Sequence, residues 1–580
     1  MKILLIYPYC LEDRRQTEDI SVVPIGVYYI GAFLKENNYD VEILNWYDIN
    51  KTPQKIQKAL IEKNPDIIGF SILHANRWGG IEIARIARQI NPKVKIVFGG
   101  IGATFLWKHL LSGFKEIDFA VLGEGEYTFL SLVKCIERQD YKKIRDIKGL
   151  AYRENGIPVR TGNAELIQDL DQLPVPSKYF TYQHVSSTRG CPGNCVFCGS
   201  PRFWGHKVRY LSPDNFVGQL ELLNRKGVTT FYFSDDTFIL KKDRVIQICK
   251  KIMERGLNIE WVAISHVNYV DEEILSWMRK AGCIQISYGV ESGSEKIRNV
   301  ILKKKIKTDQ IKKAFSLTTR YGIMARAYFI YGSPNENWST IQETIDLIHE
   351  IKPLSVIFYI LDIFPGTELY SDFKKRKEVS DEIWSRKIED IMYFETDPDL
   401  SRELIPAFGR KLRTDFHEHI PDFVDSINLL EREDFSKMHS DFLSRLGMTF
   451  THGDYSQVES IKEKNKIAER LYKRSLSYYP NHRAFLGLGI IRQKERAYEE
   501  SINILLQGIE YFSDSEPLNM CLGVSCLNLK DYAGALKWFL KFKDSKEAIF
   551  YIAICYKALG DTDNEAVFLM KLDSFSRDLL

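Results

Sequence analysis

The sequence predicts a multidomain α/β chain: a doubly wound parallel sheet, then a partial (β/α)6 barrel, then an all-α repeat region. Three observations predict it. Short apolar runs alternate with amphipathic segments over the first 145 residues, the alternation resumes after residue 184, and from about residue 465 motifs recur 34 residues apart.

At 580 residues, with 44% apolar and 27% charged side chains, the chain has the length for three or four cores of ordinary globular composition. A formal charge of +3 makes no case for nucleic acid or an anionic membrane as a partner. The apolar run Ile3 to Tyr7 is too short for a signal peptide, and charged residues follow at Glu12 to Arg15. No run approaches the ~20 apolar residues of a membrane span, so a cytoplasmic location is expected. Ten cysteines are too few for a disulfide scaffold, and three of them cluster.

In the first region strands are expected at Ile3–Tyr7, Val41–Leu44, Ile67–Ile72, Val94–Phe98 and Phe119–Leu122. Helices are expected near 24–37, 53–63, 80–90, 105–112 and 127–138. Ligands of such sheets sit at the carboxyl ends of the strands. The loops there hold Ser71 and His74, then Gly99 and Gly100, then Gly123-Glu124-Gly125-Glu126. Glycines at these places admit a ligand close to the backbone or serve turn geometry alone. Residues 146–183 read as a connector, with a hairpin turn at Tyr152–Gly156 and an extended link at Leu173–Pro176.

Strands of the second region are expected at Thr229–Phe233, Ile259–Ser265, Gln285–Val290, Met324–Tyr331 and Ser355–Ile363, with helices between. The strand before the cysteines makes six units, two fewer than a full barrel. Cys191, Cys195 and Cys198 lie within eight residues just after His184-Val185-Ser186-Ser187-Thr188. Three thiolates can hold three irons of a four-iron cluster and leave the fourth open to a small molecule. His206 follows, so a Cys3His zinc knuckle is the alternative from the residues alone.

The spacing C-x3-C-x2-C, with Phe197 before the last cysteine, resembles the signature of the radical S-adenosylmethionine (radical SAM) superfamily. The resemblance implies a [4Fe-4S] cluster on Cys191, Cys195 and Cys198, whose open iron chelates SAM. It implies SAM contacts at Phe197, at Asp235 and Asp236 after the second strand, and at Glu291 and Ser292 in Gly289-Val290-Glu291-Ser292-Gly293. A carboxylate such as Glu291 suits a ribose diol, since it accepts two hydrogen bonds at once. Gly332 opens the turn Gly332-Ser333-Pro334-Asn335-Glu336, near which adenine would lie. Arg326, in mid-strand, is a candidate partner for the SAM carboxylate or an outward salt bridge, and Asp236 otherwise caps a helix. The order and spacing of these motifs leave little room for zinc.

Pro24-x-Gly26, Gly99-Gly100 and Gly123-Glu124-Gly125-Glu126 together resemble the Rossmann-like cobalamin-binding domain that precedes many radical SAM cores. That resemblance implies cobalamin contacts at Pro24, Gly26, Ser71, His74, Gly99, Gly100, Gly123, Glu124 and Gly125. The D-x-H-x-x-G motif that gives cobalt a histidine in some relatives is absent, with Ile72 where its Asp would stand. The domains expected are 1–145, a connector 146–183, a radical SAM core 184–370, a helical extension 371–463 and a repeat domain 464–580.

The combined resemblance implies reductive cleavage of SAM to a 5′-deoxyadenosyl radical and, with cobalamin, C-methylation of an unactivated carbon. The alternatives are another radical oxidation, cyclisation or rearrangement beside a non-functional cobalamin domain, and a non-catalytic corrinoid or cluster sensor. A one-electron reductant such as a flavodoxin or ferredoxin is implied, and the substrate is open. In the last third, Leu488-Gly489 recurs as Leu522-Gly523 and Tyr498 as Tyr532, with a shorter third copy through Ala553 to Ala566, where Leu559-Gly560-Asp561 echoes Leu529-Lys530-Asp531. This period resembles tetratricopeptide repeats, which bind a protein or peptide partner or simply pack.

Overall fold

The computed structural model describes residues 1–11, 21–49 and 52–577; the charged stretch Glu12 to Arg15 lies outside the described residues. The chain forms two compact units, residues 1–318 with 325–413, and residues 319–324 with 414 onward. The expected extension 371–463 is thus divided between them.

The first unit opens with β1 (Lys2–Tyr7), α1 (Ile25–Glu36), β2 (Asp40–Asn45), α2 (Pro53–Lys63), β3 (Ile67–Ser71), α3 (Arg77–Ile90), β4 (Lys95–Gly99), α4 (Gly100–Gly113), β5 (Phe119–Val121) and α5 (Glu126–Glu137). The strands β1 to β5 pair in parallel in the order β2-β1-β3-β4-β5. Burial on both faces is why β1 is an uninterrupted apolar run. The order reverses between β1 and β3, where sheets of this kind open a crevice. Pro53 starts α2 and a left-handed Asn64 stops it, as helix-end chemistry predicts. By contrast, α4 begins at Gly100, five residues before the expected start.

The connector is also less independent than expected. Its hairpin, β6 (Leu150–Glu154) and β7 (Ile157–Arg160), adds antiparallel to β5 and brings the sheet to seven strands. Asn155 and Gly156 both have positive φ, the tight two-residue turn that matches strand twist.

The barrel follows. β8 (His184–Val185) leads to a clasp in which β9 (Thr188–Arg189) and β10 (Arg209–Tyr210) pair antiparallel around the cysteine loop and α6 (Ser200–Trp204). Then come α7 (Pro213–Arg225), β11 (Thr230–Phe233), α8 (Lys242–Glu254), β12 (Glu260–Ser265), α9 (Glu272–Lys280), β13 (Cys283–Glu291), α10 (Thr308–Arg320), β14 (Met324–Tyr331), α11 (Trp338–Ile351), β15 (Ser355–Ile360), α12 (Glu368–Lys377) and α13 (Leu404–Asp425). The sheet order is β15-β14-β13-β12-β11-β8, so each strand from β11 on adds beside its predecessor. Right-handed crossovers that always step the same way put the helices on one outer face and leave the other as the inner face of an open barrel. Phe233 packs outward on Phe216 of α7, and Tyr288 on Phe315 of α10. The first half of α13 packs on the barrel: Phe408 lies against Trp338, and Arg413 reaches Tyr331 and the carbonyl of Phe358.

The second unit is helical: α14 (Ser436–Thr451), α15 (Lys464–Tyr478), α16 (His482–Lys494), α17 (Tyr498–Tyr511), α18 (Glu516–Asn528), α19 (Tyr532–Phe539), α20 (Lys546–Leu559) and α21 (Thr562–Arg577). The starts of α16 and α18, at 482 and 516, lie 34 residues apart, as do those of α17 and α19, at 498 and 532. Packing keeps the same period. Gly489 is seated under Leu505 and Gly523 under Phe539, each in a place where a Cβ would collide. Among the described residues no helix is long and apolar enough to cross a membrane.

Candidate active site

The cysteine loop is held by backbone before any ligand is considered. Val196, between Cys195 and Phe197, donates its N–H to Leu302 and accepts from the N–H of Leu369. Gly190 opens the loop at φ +110, where a Cβ would stand 2.7 Å from the carbonyl oxygen of Lys207. Asp235, fully buried after β11, accepts from the N–H and hydroxyl of Ser187 and from the hydroxyl of Thr188. Arg244 adds bonds to the hydroxyl and carbonyl of Ser187. Asp235 is therefore spent on fastening the loop's base, whereas its neighbour Asp236 accepts from Ser200 at the loop's far end.

The three thiols are half-buried and free of disulfides, and each sits within electrostatic reach of another. Burial pushes all three up from the ordinary thiol value, Cys198 to about 12. A buried thiol group of this kind ionises when a metal replaces its protons. The three sulfurs are not among the ligand sets whose atoms all lie within 4.8 Å of one another. A single tetrahedral zinc would need sulfurs about 3.8 Å apart. His206 is exposed, so the zinc-knuckle set is not assembled. The donor set fits a cluster better than one zinc.

The far wall of the site comes from β13. Glu291 ends the strand at φ +69, is 5% exposed, and accepts from the Lys304 ammonium at 2.7 Å. Gly289 makes room for this pair, since a Cβ there would lie 2.4 Å from the carboxylate and 2.6 Å from the ammonium. Burial works against a charged Lys304, but the Glu291 carboxylate and Cys195 hold its pKa above the usual lysine value. Lys304 faces the cysteines and is not among the site residues expected from the sequence. Ser292 and Gly293 meet Thr344 of α11, and Arg298, fully buried, donates to the carbonyls of Ser292 and Gly293. Gly332 has φ +80, and its N–H and that of Ser333 donate to Glu336, whose carboxyl burial pushes up to about 7. Phe197 is half-buried beside the cysteines.

Arg326 stands apart from this group. It is the third residue of β14, six positions before Gly332, and six residues of strand span about 20 Å. Its guanidinium cannot reach the mouth where Glu291 and Gly332 lie. Instead its Nε donates to Ser355 at 2.8 Å.

At the loop ends of the first sheet the expected residues divide into two groups. Gly26 and Gly123 face open space, with nothing within 4 Å of a built Cβ. Gly26 also lines a cavity of about 80 Å³ shared with Arg189, Trp204, Ser234 and Asp236, so the start of α1 and the barrel mouth border one space. Pro24 precedes α1 as its N-cap. These positions fit a bulky ligand close to backbone. Gly99 is also uncrowded, but Gly100 abuts the chain itself: a Cβ would lie 2.8 Å from the carbonyl oxygen of Ile72 and 3.3 Å from the hydroxyl of Ser71. Gly125 rests on Val121 and Ile30. The tight seat of α4 against the β3 loop is what moves its start forward to Gly100.

Three side chains there are engaged elsewhere. Glu124 is buried and pairs with Arg209 at 2.7 Å and Arg189 at 3.3 Å; Glu126 pairs with Arg189 at 2.5 Å. These arginines belong to the clasp strands β9 and β10, so the loop after β5 is bolted to the base of the cysteine loop. His74 is buried, with Nε2 3.2 Å from Asp362 and 3.5 Å from Asp390. Burial alone lowers its pKa, but the two carboxylates more than offset this and raise it. Beside it Arg77, wholly buried, donates to the carbonyls of His74, Trp384 and Ile388. Arg77 bonds His74 three residues away, but its other partners and those of Arg189 lie 63 to 311 residues away and could not be paired from the sequence.

Residues 185–348 match the radical SAM superfamily and residues 20–133 the B12-binding domain. An uncharacterized methyltransferase of Pyrococcus horikoshii is 32% identical over 382 residues, 64% of this chain and 82% of its own length. The anaerobic magnesium-protoporphyrin IX monomethyl ester cyclase of Cereibacter sphaeroides is 28% identical over 66% of this chain and 65% of its own. The radical SAM methyltransferase TsrM of Kitasatospora setae, solved with cobalamin and a [4Fe-4S] cluster, superposes with a TM-score of 0.59. It is 16% identical, and the match covers 82% of this chain and all of that one. The cobalamin-dependent radical SAM enzyme OxsB gives 0.55 at 16% identity, over 93% of this chain and 84% of its own.

Proposed function

The chain belongs to the radical SAM superfamily, in the branch that carries a B12-binding domain, and on that premise we propose that it C-methylates an unactivated carbon of a substrate held in the barrel. The observation that carries this is the shared cavity at the barrel mouth, lined by Gly26 from the first sheet and by Asp236 from the second. Cys191, Cys195 and Cys198 would hold the [4Fe-4S] cluster, and Gly26 and Gly123 would border the corrin. When bound, the cluster supplies the electron that cleaves SAM and cobalamin carries the methyl group.

This chain's own residues bind and orient. Glu291 takes the ribose hydroxyls of SAM, for which it must exchange its bond with Lys304. Lys304 then offers a cation beside the cysteines where the methionine carboxylate would lie, a place that Arg326 cannot serve. Ser292 and Gly332 shape the nucleoside pocket, Arg298 holds the turn after Glu291 in place, and Asp236 receives the ammonium. Arg189 and Glu124 keep the corrin-bordering loop in fixed register with the cysteine loop, because a buried ion-pair network has one low-energy arrangement. Burial of the site excludes water from a reactive intermediate.

A second reading, radical cyclisation, is favoured by the cyclase relative. Anaerobic reconstitution with iron, sulfide and hydroxocobalamin, followed by mass analysis of SAM products, separates them. The proposal expects a cluster absorption, bound corrinoid, 5′-deoxyadenosine and S-adenosylhomocysteine, all three cluster-dependent readouts being lost in Cys195→Ala. Protein that forms 5′-deoxyadenosine without S-adenosylhomocysteine supports the second reading.

The domains of residues 1–145, 184–370 and 464–580 are proposed as the corrinoid, radical SAM and tetratricopeptide-like parts. Support for the last is the common 34-residue period of helix starts and of the Gly489–Leu505 and Gly523–Phe539 seats. Such repeats present a face to a protein or peptide, and a flavodoxin or ferredoxin is the class of reductant required.

A further inference from the structure

We propose that the inner face of the barrel binds an elongated, flat and largely apolar substrate whose carboxylate is fixed on Arg326, far from the reacting carbon. This rests on the reading of the barrel as the reaction chamber, and it names the substrate class. The outward side chains Phe233, Tyr288 and Phe358 pack on helices or neighbouring rings, so strand alternation places His184, Tyr232, Ile264, Arg326, Tyr328 and Tyr359 on the inner face.

That face carries rings on its two flanks, is polar on β13, where Gln285 donates to Ser287, and is not filled. Inner side chains of a closed eight-stranded barrel pack into a solid core. Here Tyr232 is 40% and Ile264 39% exposed. The rings of His184 and Tyr232 lie parallel, 4.5 Å apart, and Tyr328 meets Tyr359 at 5.9 Å on the other side. Broad ring faces and branched alkyl groups left open to solvent are a surface for a flat hydrophobic guest.

Arg326 adds the polar anchor. Ser355 holds its Nε, and among the described residues no carboxylate lies within ion-pair distance of the guanidinium. With Nε fixed, the two terminal nitrogens remain as the fork that matches a carboxylate. The depth sets length: a carboxylate on Arg326 and a reacting carbon near Glu291 require a molecule on the order of 10–15 Å long, from the strand rise less the reach of the side chain.

Equilibrium dialysis of the full-length reconstituted protein against 2-naphthoate and its neutral analogue 2-naphthalenemethanol tests this without turnover. Wild-type protein is expected to bind the acid more tightly than the alcohol. Arg326→Gln should weaken the acid by roughly tenfold or more, the scale of a charge-assisted pair, and change the alcohol less than twofold, while Tyr232→Ala weakens both. Equal affinity of wild type for acid and alcohol, or equal losses of both in Arg326→Gln, overturns the proposal. Should Arg326→Gln not fold, Arg326→Lys takes its place: a point charge without the fork should weaken the acid severalfold and leave the alcohol unchanged, and an unchanged acid affinity overturns the proposal. An acid preference that depends on Arg326 in protein that forms no 5′-deoxyadenosine upholds the anion site and overturns the catalytic reading instead.

Discussion

The two large sheets of the first unit use the carboxyl ends of their parallel strands in opposite ways. At the end of the first sheet, most of the polar and glycine-rich chemistry is consumed by the chain: Glu124 and Glu126 by arginines, His74 by Asp362 and Asp390, Gly100 by the β3 loop. At the barrel, Asp236, the Glu291–Lys304 pair and the inner rings border open space or exchangeable partners. A sheet end can thus be rich in functional-looking residues because it is a joint, and what it offers a ligand is the space beside Gly26 and Gly123.

This contrast can be broken from either side. The largest effect is expected at the joint: Arg209→Met leaves Glu124 buried beside one arginine instead of two and should cost about 3–5 kcal/mol, read as the urea midpoint. Glu124→Gln in the same chain should then add less than it does alone, because the two share one network. On the barrel side, Gly293→Ala drives a Cβ to 2.2 Å from the carbonyl oxygen of Glu343 and should cost about 2–3 kcal/mol with loss of SAM binding. Gly26→Ala separates ligand space from packing: it meets nothing, gains helix propensity in α1, and should leave the melting temperature unchanged or higher while weakening corrinoid uptake severalfold. Unchanged corrinoid affinity would remove Gly26 from the site.

The smallest effect is a pH slope. His74 has a folded pKa above its unfolded 6.5, so its contribution is fully present below about pH 6.5 and lost as pH rises through the folded value. Thermal stability should therefore decline over that range, and His74→Gln should flatten the decline in a melting series from pH 6 to 9.

Sequence alone determined the two α/β layouts and the helical period and pointed to the cysteine triplet and Glu291, because each is written in local pattern: apolar runs, a 34-residue echo, a three-residue ligand spacing, a strand-end motif. One boundary moved where backbone packed on backbone, at Gly100, and another where a hairpin found a sheet edge, at β6. Tertiary structure decided what distance along the chain conceals. It took His74 and Glu124 out of open space, placed Arg326 a strand's length from Glu291 and Gly332, and put Lys304 against Glu291. For His74, Glu124 and Lys304 the physical reason is common: a charged side chain is assigned by whichever partner satisfies it once buried, and that partner is chosen by the fold; for Arg326 it is the position in the strand.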